Sequence, residues 1–219
     1  MSESGVRRDD RLPWQLWFLA GTIVAIELWL SASDRGWIDP EWRTYALLNG
    51  AFWRPVATGA VAPLFDEQWL TMYASHAFLH GGIVHVALNS TVLLALGKHI
   101  AARTGPWSLL ALFVVSAVAG ALGFQLLSNS NAPMVGASGA VFGFLGLWLY
   151  WDFIHRRRLG LPITPVLKTV LGLVAANVLI YFAFSGTLAW EAHLGGFAAG
   201  VAVGPLISRD SFGFRAGFR

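Results

Sequence analysis

The stretch Pro133-Met134-Val135-Gly136-Ala137-Ser138-Gly139-Ala140-Val141-Phe142-Gly143 sets a hydroxyl among glycines where an apolar helix begins. Glycine on either side lets another backbone come close to Ser138, and the first turn of a helix leaves N–H groups without intrahelical partners. These are the parts of a nucleophile and of half an oxyanion hole, provided that a base reaches the same place. In a chain with 24 glycines, Gly-x-Ser-Gly alone describes close helix packing as readily as catalysis. Two other stretches carry histidine. His76, His80 and His85 are followed by Asn89; His85 and Asn89, four residues apart, share one helix face. They suit either ties between helices or hydrogen-bond donors to a developing oxyanion. His76 and His80 precede the Gly81-Gly82 break and lie outside that helical phase. His193 stands before Gly196, Gly200 and Gly204, which repeat every fourth residue as a flat stripe on the same side of a helix. Gly139, Gly143 and Gly146 make a second stripe, and packing the two brings His193 toward Ser138. Three histidines within ten residues suggest metal, but there is no cysteine and no accompanying acid in a zinc-protease pattern, so neither metal nor cofactor is expected.

These residues sit in a chain of 219 residues that is 56% hydrophobic and only 12% charged, with mean hydropathy +0.58. A soluble domain carries about 25% charged residues, so this composition describes an integral membrane protein. At about 20 apolar residues per span, the length suits one bundle of about six helices and leaves no room for a second domain. The absence of cysteine excludes a disulfide framework and a thiol nucleophile. The net charge of +3 is distributed as loops of a membrane protein require, and no nucleic-acid partner is expected.

In chain order, a basic tail to residue 13 leads to a first span, Trp14 to about Ala32. Glu27 lies inside it and is expected to make a structural hydrogen bond. Residues 34–75 form a long connection rich in aromatic residues, which fits a segment lying in the membrane interface; Pro55, Gly59 and Pro63 argue against a long regular helix there. Further spans are expected at Gly82–Gly97, Trp107–Leu127, Gly136–Trp151 and Val166–Phe184, the last with Asn177 as an interhelical hydrogen bond, and from Trp190 to about 207. A turn is expected over Lys98–Pro106 and a second tail over 208–219. With both termini cytoplasmic, Arg35, Arg43 and Arg54 are the only basic residues outside, as the positive-inside rule requires. His85, Ser138 and His193 then all fall near the outer starts of their helices, at the depth of a site sunk slightly below the outer surface.

At these residues the chain resembles the rhomboid intramembrane serine proteases of the bacterial six-helix type. The motifs are His76, His80, His85 and Asn89, then Gly136-Ala137-Ser138-Gly139, then Ala192-His193 with Gly196 and Gly200. The resemblance implies an all-α six-transmembrane-helix bundle with a long interfacial first loop, in a bacterial inner membrane. It implies Ser138 as nucleophile, His193 as general base and acid without an acidic third member, and His85, Asn89 and the Ser138 backbone as the oxyanion hole. It also implies substrates that are single-pass transmembrane proteins, cut in the bilayer near small residues. Two departures stand out. The Trp-Arg pair that many members carry just before the first histidine lies upstream here, at Trp53-Arg54. Phe142 replaces the tyrosine that commonly stacks on the catalytic histidine; its face can stack as well. Packing on Phe142 and the helix contact are expected to orient the imidazole. Two other classes remain open at this stage, an inactive rhomboid-like scaffold that binds membrane clients and a small histidine-using transporter or haem protein.

Overall fold

The computed structural model describes residues 12–183 and 187–211, so most of both expected tails, 1–13 and 208–219, lies outside the described residues. Its order is α1 (Trp14–Asp34), α2 (Trp42–Gly50), α3 (Arg54–Ala57), α4 (Gln68–Ser75), a 3-10 turn at His76–Phe78, α5 (Ile83–Thr104), α6 (Pro106–Leu127), α7 (Ser138–Arg158), α8 (Thr164–Ala183) and α9 (Trp190–Ser211). By length and composition α1, α5, α6 and α8 can each cross a membrane. The chain is therefore an all-α, multi-pass membrane protein, and its outward apolar side chains, such as Val84, Leu88, Leu171 and Leu179, suit contact with lipid.

Two modes of packing hold the bundle. On one side large side chains interlock: Leu16 of α1, Leu93 and Ile100 of α5, Leu109 and Phe113 of α6, and Phe144 and Leu147 of α7 share one buried cluster. On the other side α9 lies in a slot between α6 and α7 where backbone meets backbone. A Cβ added at Gly196 would run into the Gly139 carbonyl, one at Gly200 into the Gly143 carbonyl, and one at Gly195 into the Ala119 carbonyl. The glycine stripes of α7 and α9 thus face each other. Gly120 and Gly123 of α6 complete the slot, with Cβ positions 3.0 Å from the Ala192 oxygen and 2.5 Å from the Glu191 oxygen. Without a hydrophobic force between helices in lipid, such close approach supplies the dispersion contact that holds them.

The connection over 34–75 has no long helix and folds as the three short helices α2 to α4, with Pro55 in the first turn of α3. Its anchor is Glu27, fully buried in α1, which accepts from Ser31 Oγ and from Arg43 Nη2, both at 2.8 Å. Arg43 also donates to Asp34 and, at 2.9 Å, to the His80 carbonyl. Trp53 Nε1 donates to the Leu47 carbonyl and Arg54 Nε to the Gln125 carbonyl, so these two residues tie this connection to itself and to α6.

Two expected boundaries are corrected. No turn spans Lys98–Pro106: α5 continues to Thr104, and Gly105 at φ +86° alone separates it from α6, which Pro106 opens. Lys98, His99 and Arg103 are polar yet compatible with a helix, and proline at the first helical position costs no hydrogen bond. Likewise α7 runs through Arg156, Arg157 and Arg158, where Arg156 pairs with Asp152 one turn back at 2.9 Å and cations suit the helix C-terminus.

Candidate active site

The turn into α7 is pinned from several sides. Phe52 and Met134 exchange two backbone hydrogen bonds at 2.9 Å, the Gly136 N–H donates to the His76 carbonyl at 2.9 Å, and the Ala137 N–H donates to His80 Nε2 at 3.3 Å. His76 and His80 are both buried, and through these bonds they hold the turn that leads to the serine. Gly136 adopts φ +124°, and a Cβ there would lie 2.8 Å from His85 Cε1 and 2.9 Å from its Nε2. Only glycine both takes that backbone conformation and leaves room for the imidazole.

Ser138 is the first residue of α7, and no side chain caps the helix. Its first-turn N–H groups are therefore donors without an intrahelical acceptor, at the positive end of the helix dipole. Ser138 Oγ lies 2.8 Å from His193 Nε2, a hydrogen bond that joins the starts of α7 and α9. Phe142, one turn along α7, stacks flat on the same imidazole. The two stripes place these groups together because every glycine contact below them brings the two helix axes closer.

His85 of α5 lies against Gly136 beside this pair, and Asn89 follows it one turn along the same helix. The Gly81 N–H donates to His85 Nδ1 at 3.4 Å, which leaves the ring proton on Nε2, the nitrogen next to Gly136. One N–H of the Asn89 amide donates at 3.1 Å to the His85 carbonyl of its own helix. The arrangement thus holds a hydroxyl, an imidazole aligned with it, and N–H donors from a second imidazole and a helix terminus. Among the described residues no three histidine, cysteine or acidic side chains gather as metal ligands do.

The expected interhelical hydrogen bond of Asn177 is present, and its partner, which the sequence does not name, is the imidazole. His193 Nδ1 lies 2.5 Å from Oδ1 of Asn177, on α8, so a polar side chain as well as packing touches the far edge of the imidazole. Asn177 stands alone as a polar side chain in the stretch Val170–Ala183 apart from Tyr181, and that isolation was the available signal.

A profile of the Rhomboid domain matches residues 66–210. Among curated proteins, the chain is 34% identical to RHOMBOID-like protein 4 of Arabidopsis thaliana over 153 residues, 68% of this chain and 36% of that one. It is 32% identical to Rhomboid-like protease 3 of Toxoplasma gondii over 75% of this chain and 59% of that protein. It is 33% identical to the Rhomboid protease GlpG of Yersinia pestis over 68% and 53% of the two chains. The match thus spans between about a third and three-fifths of these relatives' own lengths.

Proposed function

The chain belongs to the rhomboid family, and from that membership we propose that it is an intramembrane serine endopeptidase that cuts transmembrane segments of membrane proteins through a Ser138–His193 dyad. The observation that carries this reading is the 2.8 Å hydrogen bond between Ser138 Oγ and His193 Nε2. Serine is a weak nucleophile until a base takes its proton. As Ser138 Oγ attacks the scissile carbonyl carbon, its proton passes to His193 Nε2, which then returns it to the leaving amine nitrogen. Water next attacks the acyl-enzyme ester, again giving a proton to His193, and the serine hydroxyl is released. The tetrahedral oxyanion is held by the His85 Nε2–H, the Asn89 amide and the first-turn N–H groups of α7.

In this reading α7 and α9 also cross the membrane, making six spans, with both termini cytoplasmic and the site near the outer face. The substrate is a single-pass protein whose helix opens there, because a regular helix keeps its carbonyls engaged and shields them from attack. Purified protein is tested on a model transmembrane substrate beside its Ser138→Ala variant. Cleavage by the wild type alone is expected; equal cleavage by both removes the dyad, and none by either favours a client-binding scaffold.

A further inference from the structure

We infer that Asn177 is a positioning residue for His193, so that the dyad works as a triad whose third member is a neutral amide on α8. This rests on the reading of Ser138 and His193 as nucleophile and base, and the hydrogen bonds around Asn177 carry it.

Asn177 Nδ2 lies 2.8 Å from the Leu173 carbonyl of its own helix. A carbonyl oxygen can only accept, so the amide nitrogen must be the group that faces it, and Oδ1 is the atom turned to His193. Oδ1 can likewise only accept. The proton of neutral His193 therefore sits on Nδ1, and the lone pair of Nε2 points at the Ser138 hydroxyl, 2.8 Å away. That is the one tautomer in which His193 is a base toward Ser138; the other would place an N–H against the hydroxyl and leave the base facing away.

The surroundings make the choice of tautomer depend on Asn177. The far side of His193 opens on a cavity of about 470 Å³ walled by Phe142, Val170, Val174, Val178 and Phe197. Apart from Asn177 the one lining side chain with an acceptor is Tyr181, a turn further along α8, and Asn177 Oδ1 is the acceptor that Nδ1 meets; without it an Nδ1–H is left buried without that partner, which favours moving the proton to Nε2. The Phe142 stack cannot correct this. Parallel rings 4° apart resist tilting, but the imidazole can still turn within its own plane, and an edge hydrogen bond is what stops that turn. During attack, the Ser138 proton passes to Nε2, and the imidazolium keeps its Nδ1–H on the amide oxygen, whose dipole favours the new charge. Nε2–H then protonates the leaving nitrogen and the neutral tautomer is restored. Nor is the contact a by-product of tight helix packing, because Val166 is the only buried residue of α8.

The test uses the full-length protein and the variants Asn177→Leu, Asn177→Ala and Asn177→Asp. It records kcat and KM on a transmembrane substrate, the rate at which a small fluorophosphonate labels Ser138, and the melting temperature. Leu and Ala are expected to lower kcat and the labelling rate by about 10- to 100-fold with KM little changed, whereas Asp, whose carboxyl oxygen accepts the same N–H, returns both to within a few-fold of wild type. Should Leu prevent folding, Ala carries the comparison at a temperature below its melting transition. Wild-type kcat in folded Ala or Leu overturns the triad, as does a rise in KM alone, or an Asp variant no better than Ala. A wild type that neither cleaves nor labels, or a Ser138→Ala variant that still cleaves, overturns the dyad itself and is distinct from all of these.

Discussion

Phe142 lies flat against His193, ring centroids 4.2 Å apart and planes 4° apart, on the same helix and one turn after Ser138. One rigid helix thus presents both the hydroxyl and the surface on which the imidazole rests. A stack of this kind is worth about 0.5 to 1.5 kcal/mol. Phe142→Leu is accordingly expected to lower kcat by about 2- to 10-fold, while Phe142→Tyr, which keeps the ring face, stays near wild type. Steady-state kinetics on a transmembrane substrate decide it, and a Leu variant as fast as wild type would show that the stack does not position the base.

Removing either end of the Ser138–His193 hydrogen bond is expected to stop the reaction. Ser138→Ala and His193→Ala should each fall by ~10⁴-fold or more in cleavage, since members of such a unit act together. Both variants should still insert and melt cooperatively, because the glycine contacts of α7 and α9 are untouched. Residual cleavage near the wild-type rate in pure protein contradicts the assignment.

For Asn89 the bond to its own helix gives a structural role a real claim. If the amide also donates to the oxyanion, Asn89→Ala lowers kcat by up to about 10²- to 10³-fold, and other donors can shrink the loss. Fluorophosphonate labelling of Ser138 should slow with it, and stability should drop by no more than about 1 to 2 kcal/mol. A variant that melts far lower yet labels at the normal rate while folded makes Asn89 structural, leaving His85 and the backbone as donors.

The slot for α9 tolerates no side chain at its tightest points. Gly196→Val places branched carbon against the Gly139 backbone and Gly200→Val against that of Gly143, where neither partner has a flexible end to move. Overpacking costs about 1 to 3 kcal/mol even where side chains can adjust, so a loss above that range is expected, with activity lost as His193 draws away from Ser138. Wild-type melting and turnover in either variant would refute the contact.

Glu27 and Arg43 form a partly desolvated pair joining α1 to the first connection. Arg43→Met leaves a carboxylate buried without its cation and is expected to cost about 3 to 5 kcal/mol. Adding Glu27→Leu removes the orphaned charge and should recover much of the loss. Thermal or denaturant unfolding of the two single variants and the double variant measures this; additive losses would mean the pair is not coupled.

The residues that meet around Ser138 were legible because glycine stripes and motif spacing are local properties of a helix. Gly196 and Gly200 could be matched to Gly139 and Gly143 before any coordinates, since only small residues permit that contact. The contribution of α6 was not legible: Gly120 and Gly123 are three apart in an apolar run, and nothing marked them as facing α9. Arg43 could not be paired with Glu27 by sequence, because the partners are sixteen residues apart across a turn of irregular geometry. Asn177 reads as an ordinary interhelical tie until the orientation of its amide is known, and that depends on the Leu173 carbonyl. Helix ends at Thr104 and Arg158 escaped because polarity marks where a helix leaves the hydrocarbon, which is not where it stops.

The slot between α6 and α7 also bears on the order in which the chain is made. Ser138 emerges from the ribosome well before His193, and between them come Phe142 and Asn177, so a growing chain carries the hydroxyl and both side chains that touch the imidazole before it carries the imidazole. Until α9 arrives, Gly120, Gly123, Gly139 and Gly143 line a slot with no helix in it. The last described helix is thus a keystone: its arrival closes the bundle, and under the proposed dyad it is also what would bring the base to the serine, so a chain stalled before it would hold the hydroxyl without its partner.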